Sequence, residues 1–262
     1  MAVEEDLSLV QPGSDRSWRF DLVPGLFFRP RSTLSQVAAT NQPIWRAPIL
    51  LLLLVAVAHA LLAGSIVAAA KAGGQPALPP NFEFYTPEQQ AQYMQAATAT
   101  NNVTFNYILP ALRAALGVVA GWLVIGWLLH LLLTLLGGRG TSQQALNLAA
   151  WASLPLLLRY LVQIAAMLVT DQLVGTAGLG GFAPGGEGVA YSLGAALLGQ
   201  IDLYILWQIG LLLLGAKIIS QISTLKAVVA VALTFLIVML LRALPGAILA
   251  QFGDLTVIQP FM

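Results

Sequence analysis

The sequence predicts an all-α integral membrane protein: a bundle of five transmembrane helices with a short interfacial N-terminal helix. Three observations carry this. Apolar stretches run over residues 47–70, 111–136, 147–169, 193–216 and 226–249, and each supplies the ~20 residues that cross a bilayer core as a helix. Hydrophobic residues make up 58% of the chain and charged residues only 9%, against about a quarter charged in soluble domains. The loops between the stretches alternate in positive charge, the pattern that sets orientation in a membrane.

Residues 1–20 are polar, with Glu4, Glu5 and Asp6 ahead of Asp15, Arg16 and Arg19, and read as a disordered cytoplasmic tail. Residues 21–46 read as an interfacial amphipathic segment. Phe27 and Phe28 beside Arg29 and Arg31 suit the headgroup region, where aromatic rings sink and cations meet anionic lipid. Pro30 can open a short helix with Leu34, Val37 and Ala38 on one face. Packing beneath the helix bundle is the competing reading of this segment. The first apolar run is too long for a signal-peptide core, so it is expected to stay as an anchor.

Arg16, Arg19, Arg29, Arg31 and Arg46 precede the first span, Arg139 lies between the second and third, and Lys217 and Lys226 lie between the fourth and fifth. The intervening loops hold Glu83, Glu88, Asp171 and Glu187, with Lys71 at a membrane edge, and the last residues, 251–262, carry only Asp254. Eight of twelve cations fall on one side. The N-terminus is therefore expected in the cytoplasm and the C-terminal tail outside.

In the first outer loop, Thr86-Pro-Glu-Gln89 has the form of a helix start, with a capping threonine, proline at the first position and glutamine at the third. Asn101-Asn102 would end that helix. Asn102-Val-Thr104 is a glycosylation sequon that has meaning only in a secretory membrane. The second outer loop is glycine-rich. Its Gly178-Leu-Gly-Gly-Phe-Ala183 fits a dinucleotide-binding string, but no strand precedes it, so a flexible hairpin is expected.

Charges inside hydrocarbon cost roughly 2.5–3.5 kcal/mol each, so each calls for a partner or a function. Arg159, Asp202 and Arg242 lie within spans three, four and five, with Gln163 one turn beyond Arg159 and Gln200 and Gln208 flanking Asp202. Together these six form a predicted buried polar seam. Asp202 and Arg242 fall at similar depth and make the simplest pair, with Arg159 as the competing partner. His59 and His130 read as interhelical hydrogen-bond formers. Gly117/Gly121, Ala60/Gly64 and Ala195/Gly199 are small-residue pairs that allow helices close contact, and Leu109-Pro110, Leu154-Pro155 and Leu244-Pro245 mark kinks.

Enzymatic chemistry finds little support. Only one aspartate lies within a span, so an intramembrane aspartyl dyad is missing. His-Glu-x-x-His and Gly-x-Ser-x-Gly do not occur, and the absence of cysteine removes thiolate chemistry. No catalytic residue, metal ligand, cofactor or nucleic-acid partner is expected.

Three segments resemble one family in order and spacing. Leu26-Phe-Phe-Arg-Pro-Arg-Ser-Thr-Leu34 is similar to a family entry motif before span one. Gly137-Gly-Arg-Gly-Thr-Ser-Gln-Gln-Ala145 with Trp151-Ala-Ser-Leu-Pro155 resembles its turn between spans two and three. Asp202-Leu-Tyr-Ile-Leu-Trp207, continuing to Gly215, is similar to its aspartate–aromatic–tryptophan pattern. Over residues 24–250 the chain resembles the prokaryotic branch of the YIP family, the Rab/Ypt-interacting proteins with five spans. The resemblance implies a helical bundle with a cytoplasmic N-terminus. In eukaryotic relatives it implies binding of prenylated small GTPases through an N-terminal domain, and the short segment before span one argues against that partner here.

Two functions follow as expectations. The first is a non-enzymatic scaffold or accessory subunit in a prokaryotic plasma membrane, which binds a partner membrane protein or shapes the bilayer. The alternative is a transporter or channel for a small solute or lipid that uses the seam of spans three to five. A scaffold calls for one closed charge pair and tight packing, a transporter for a vestibule that reaches the charges.

Overall fold

The computed structural model describes residues 18–73, 82–99, 101–174, 178–183 and 189–253. The predicted tail up to residue 17, most of the glycine-rich loop and the segment after Gly253 lie outside them. Ten α-helices follow in order: α1 (Leu22–Phe28), α2 (Pro30–Ala38), α3 (Arg46–Gly73), α4 (Pro87–Ala99), α5 (Leu109–Leu135), α6 (Ser142–Ala152), α7 (Leu154–Thr170), α8 (Val189–Leu198), α9 (Leu203–Ser220) and α10 (Thr224–Gly253). Five segments are long and apolar enough to cross a membrane: Arg46–Lys71, Thr104–Leu135, Ser142–Thr170, Leu203–Ser220 and Thr224–Leu244. The expected all-α, multi-pass architecture is borne out.

The spanning helices close into a ring. α3 packs on α5, α5 on α10, α10 on α9, α9 on α7, and α7 returns to α3. α6 stands inside that ring. Its residues Ala145 and Asn147 to Ala152 are buried, the signature of a helix enclosed on all sides. Glycines on its neighbours make room for it. A Cβ on Gly126 of α5 would lie 2.7 Å from a methyl of Leu146, and one on Gly215 of α9 would collide with Leu148.

α6 starts with a capping box, in which Thr141 Oγ1 accepts from Gln144 N–H (3.2 Å) and Gln144 Oε1 from Thr141 N–H (3.0 Å). It ends at Ser153, because Pro155 at the second position of α7 donates no N–H and its ring clashes with the carbonyl four residues back. The expected kink is thus a full break. Beyond it α7 lies on the rim, with Leu161, Val162, Leu168 and Val169 exposed. Span three therefore begins on the axis of the bundle and ends on its wall.

The N-terminal segment packs one face against the bundle. It forms two helices whose Leu22, Leu26, Leu34 and Val37 are buried in the main core. The carbonyls of Ala38, Gln42 and Ile44 accept from Gln144 Nε2 (2.7 Å), Asn147 Nδ2 (2.8 Å) and Trp151 Nε1 (3.2 Å). These donors share one face of α6 by their three- and four-residue spacing. They satisfy non-helical backbone that apolar surroundings would otherwise leave costly. Trp45 then stacks on Trp122 with ring centroids 4.5 Å apart, halfway along α5. Phe27 also packs on the bundle, meeting Trp207 edge-on at 5.6 Å. Phe28, Arg29 and Arg31 stay exposed.

Span four is corrected. The apolar run 193–216 is not one helix: α8 ends at Leu198, the chain turns through Gly199–Ile201, and α9 starts after Asp202. The Asp202 carboxylate caps α9 by accepting from Ile205 N–H at 2.9 Å. α8 packs instead against α10 and the 3-10 turn Leu179–Phe182. At the same end of the bundle Thr86 and Gln89 form the expected capping box of α4. Thr104–Ile108 is a π-helical turn leading into α5.

Candidate functional site

Because α6 leaves the axis at Ser153, none of the described residues fills the ring above it. A cavity of about 600 Å³ occupies that space, lined by residues of α3, α5, α7, α9 and α10. It runs from Phe105 and Pro110, at the N-terminal end of α5, to Ser153 and Gln208. Its floor is sealed by hydrogen bonds. Ser153 Oγ accepts from Gln208 Nε2 (2.9 Å) and donates to Ala149 O (2.7 Å), and both side chains are buried. Leu52, Ala56, Val118 and Leu156 line the sides, and His59 lies against Tyr160 with ring centroids 5.3 Å apart.

Three guanidinium groups line the apolar space: Arg113, Arg159 and Arg242. Arg159 is paired, its Nε 3.1 Å from Asp202 Oδ2, with the two side chains 25% and 14% exposed. The predicted Asp202–Arg242 pair is therefore replaced by Asp202–Arg159, because the turn before α9 brings the cap beside α7. Among the described residues, Arg113 and Arg242 have neither a salt bridge nor a hydrogen bond to protein. Arg242 rests on bare backbone: a Cβ on Gly121 would lie 2.8 Å from its Nη2. Gly117, one turn away, faces open space. Of the small-residue pairs, this one makes room for a guanidinium and a cavity rather than for a helix, whereas Gly64 does meet a neighbour, the Asn106 carbonyl.

A smaller compartment of about 140 Å³ adjoins the first and shares Ile125, Arg159, Ile205, Gln208 and Arg242 with it. Gln200 lines this compartment and donates to the carbonyls of Ala196 and Met239 (both 3.2 Å), while its buried Oε1 has no donor. The structure thus brings Arg159, Asp202, Gln200, Gln208 and Arg242 together, whereas Gln163 and His130 do not line either compartment. Arg113 was not singled out by the sequence reasoning, although a cation inside an apolar run was the available signal. The described residues hold no cluster of three or more metal-ligating side chains.

A ring of five spanning helices around an open, basic cavity defines a multi-pass, all-α membrane protein. A family model, the Yip1 domain, matches residues 25–244, so the chain belongs to the Yip1-domain family. This bears out the family resemblance read from the three motifs. No curated protein and no solved structure matches the chain.

Proposed function

We propose that this protein binds a small solute or lipid within its axial cavity, without catalysis, a reading that keeps the ligand class of the transporter or channel expected second from the sequence but not the transport. The observation that supports this reading is the vestibule itself, which reaches two cations that no group among the described residues offsets. Ionisable groups are kept at membrane depth where they serve a ligand, a path or a partner charge, and of the three cavity arginines only Arg159 has the last of these among the described residues. A purely static scaffold would fill the axis, as α6 does below Ser153. The scaffold reading keeps one supporting observation: Phe28 is 84% exposed beside Arg29 and Arg31, an apolar and basic tip that suits a partner or the headgroup layer of a prokaryotic plasma membrane. By the alternating cations this tip is cytoplasmic and the cavity mouth is outside.

Filling the cavity tests the proposal. A Cβ at Gly117 meets nothing within 4 Å, so Gly117→Phe should occupy the vestibule and leave the fold intact. Ligand binding stabilises the state that binds. Wild-type protein in mild detergent should therefore melt higher when a total polar-lipid extract is added, and Gly117→Phe should not respond. An equal response in both proteins would refute a cavity ligand.

A further inference from the structure

Arg113 and Arg242, both exposed residues, line an open cavity whose other walls are largely apolar, and Arg159 is already neutralised by Asp202. Resting on this binding reading, we propose that the cavity is a site for a phosphate ester of net negative charge, with Arg242 as its inner anchor and Arg113 as its outer one.

Geometry supports two successive contacts. Arg113 and Gly121 are eight residues apart on α5, which is ~12 Å along a helix. Arg242 lies against Gly121. An anion that enters past Phe105 and Pro110 meets Arg113 first and then Arg242. Guanidinium groups present planar forks of donors that match phosphate oxygens. The glycine is part of the site: a methyl at position 121 would push the guanidinium off α5.

The apolar walls favour a phosphate ester with a hydrocarbon part over a bare ion. Leu52, Val118, Trp122, Ile125 and Leu156 would hold an acyl or alkyl chain. Phe105 and Leu109 at the mouth are 49% and 45% exposed, so the apolar lining continues onto the outer surface of the bundle. A lipid headgroup and a soluble phosphate ester share the chemistry that Arg113 and Arg242 recognise, and only their source differs.

The test is thermal unfolding of the full-length protein in nanodiscs of phosphatidylcholine, with phosphatidylglycerol doped in or glycerol 3-phosphate added in solution. Phosphatidylglycerol should raise the melting temperature in a saturable way. Arg242→Gln and Arg113→Gln should each raise the half-saturating amount about tenfold or more, the size of a lost charge-assisted hydrogen bond. Gly121→Ala, which keeps every charge, should also weaken the response. Arg139→Gln, in the turn after α5, should respond as wild type does. Saturation by phosphatidylglycerol alone assigns a lipid source, and saturation by glycerol 3-phosphate as well assigns a soluble one. Undiminished response in both Arg113→Gln and Arg242→Gln would overturn the proposal. Equal stabilisation by added phosphatidylglycerol or phosphatidylcholine in detergent, abolished by Gly117→Phe, would overturn the anion but keep the cavity reading. Stabilisation that survives Gly117→Phe would overturn both.

Discussion

Replacing Asp202 by alanine removes two different interactions, and their sizes can be separated. The carboxylate caps α9 through Ile205 N–H at 2.9 Å, a contact worth about 1 kcal/mol in comparable caps. It also holds Arg159 at 3.1 Å. Stranding a fully buried cation costs about 3–5 kcal/mol, and the 25% exposure of Arg159 reduces this to about 2 kcal/mol. Asp202→Ala should therefore cost about 3 kcal/mol and Asp202→Asn about 2 kcal/mol, since asparagine still caps. Adding Arg159→Met to Asp202→Ala should leave about 1 kcal/mol, the missing cap. A kilocalorie is worth about 2–4 °C in a chain of this size, so melting in one fixed detergent resolves the series. Rescue of Asp202→Ala by Arg242→Met but not by Arg159→Met would refute the pairing, and a fully stable Asp202→Ala protein would refute both contacts.

Two glycine positions should respond in opposite directions to one methyl group. Gly215→Ala drives a Cβ into Leu148 at the centre of the ring and should cost about 1–3 kcal/mol, whereas Gly117→Ala faces open space on a helix and should be neutral or stabilise by up to about 1 kcal/mol, both read by the same melting assay. Orientation is tested by labelling: Ser142→Cys should react only with reagent on the cytoplasmic side and Glu88→Cys only with reagent outside, and the reverse for either would overturn the charge-based topology.

How legible these features were in the sequence depends on the kind of physics behind each. Span number and the Thr86–Gln89 cap follow from local composition, and both are in the structure. Span four was misplaced because hydropathy sums over residues and cannot see that Gly199–Ile201 turns the chain. Asp202 in an apolar run reads as a buried charge, while an aspartate three residues before Ile205 also reads as a cap. The N-terminal segment was placed on the membrane surface by its Phe–Arg tip. What packs its other face on the bundle is a stripe of donors, Gln144, Asn147 and Trp151, more than a hundred residues away. The cavity had no direct sequence signal, since it arises where a neighbour is missing. Its cause was nonetheless visible as Leu154-Pro155, marked as a kink without a prediction of where the displaced helix would go.

The plug formed by α6 bears on what kind of traffic this ring can support. Below Ser153 the axis is interlocked, from Trp151 and Leu148 to the glycines that clasp them, and the polar side chains there, Gln144, Asn147 and Ser153, are engaged in hydrogen bonds to protein. A vestibule with such a floor behaves electrically as an insulator, so the membrane around it should hold its potential and its proton gradient without leak. A ligand bound as proposed would leave the way it came in unless α6 itself shifts. Loading and release would then be decided at the rim, by competition between the guanidinium groups and the surrounding lipid.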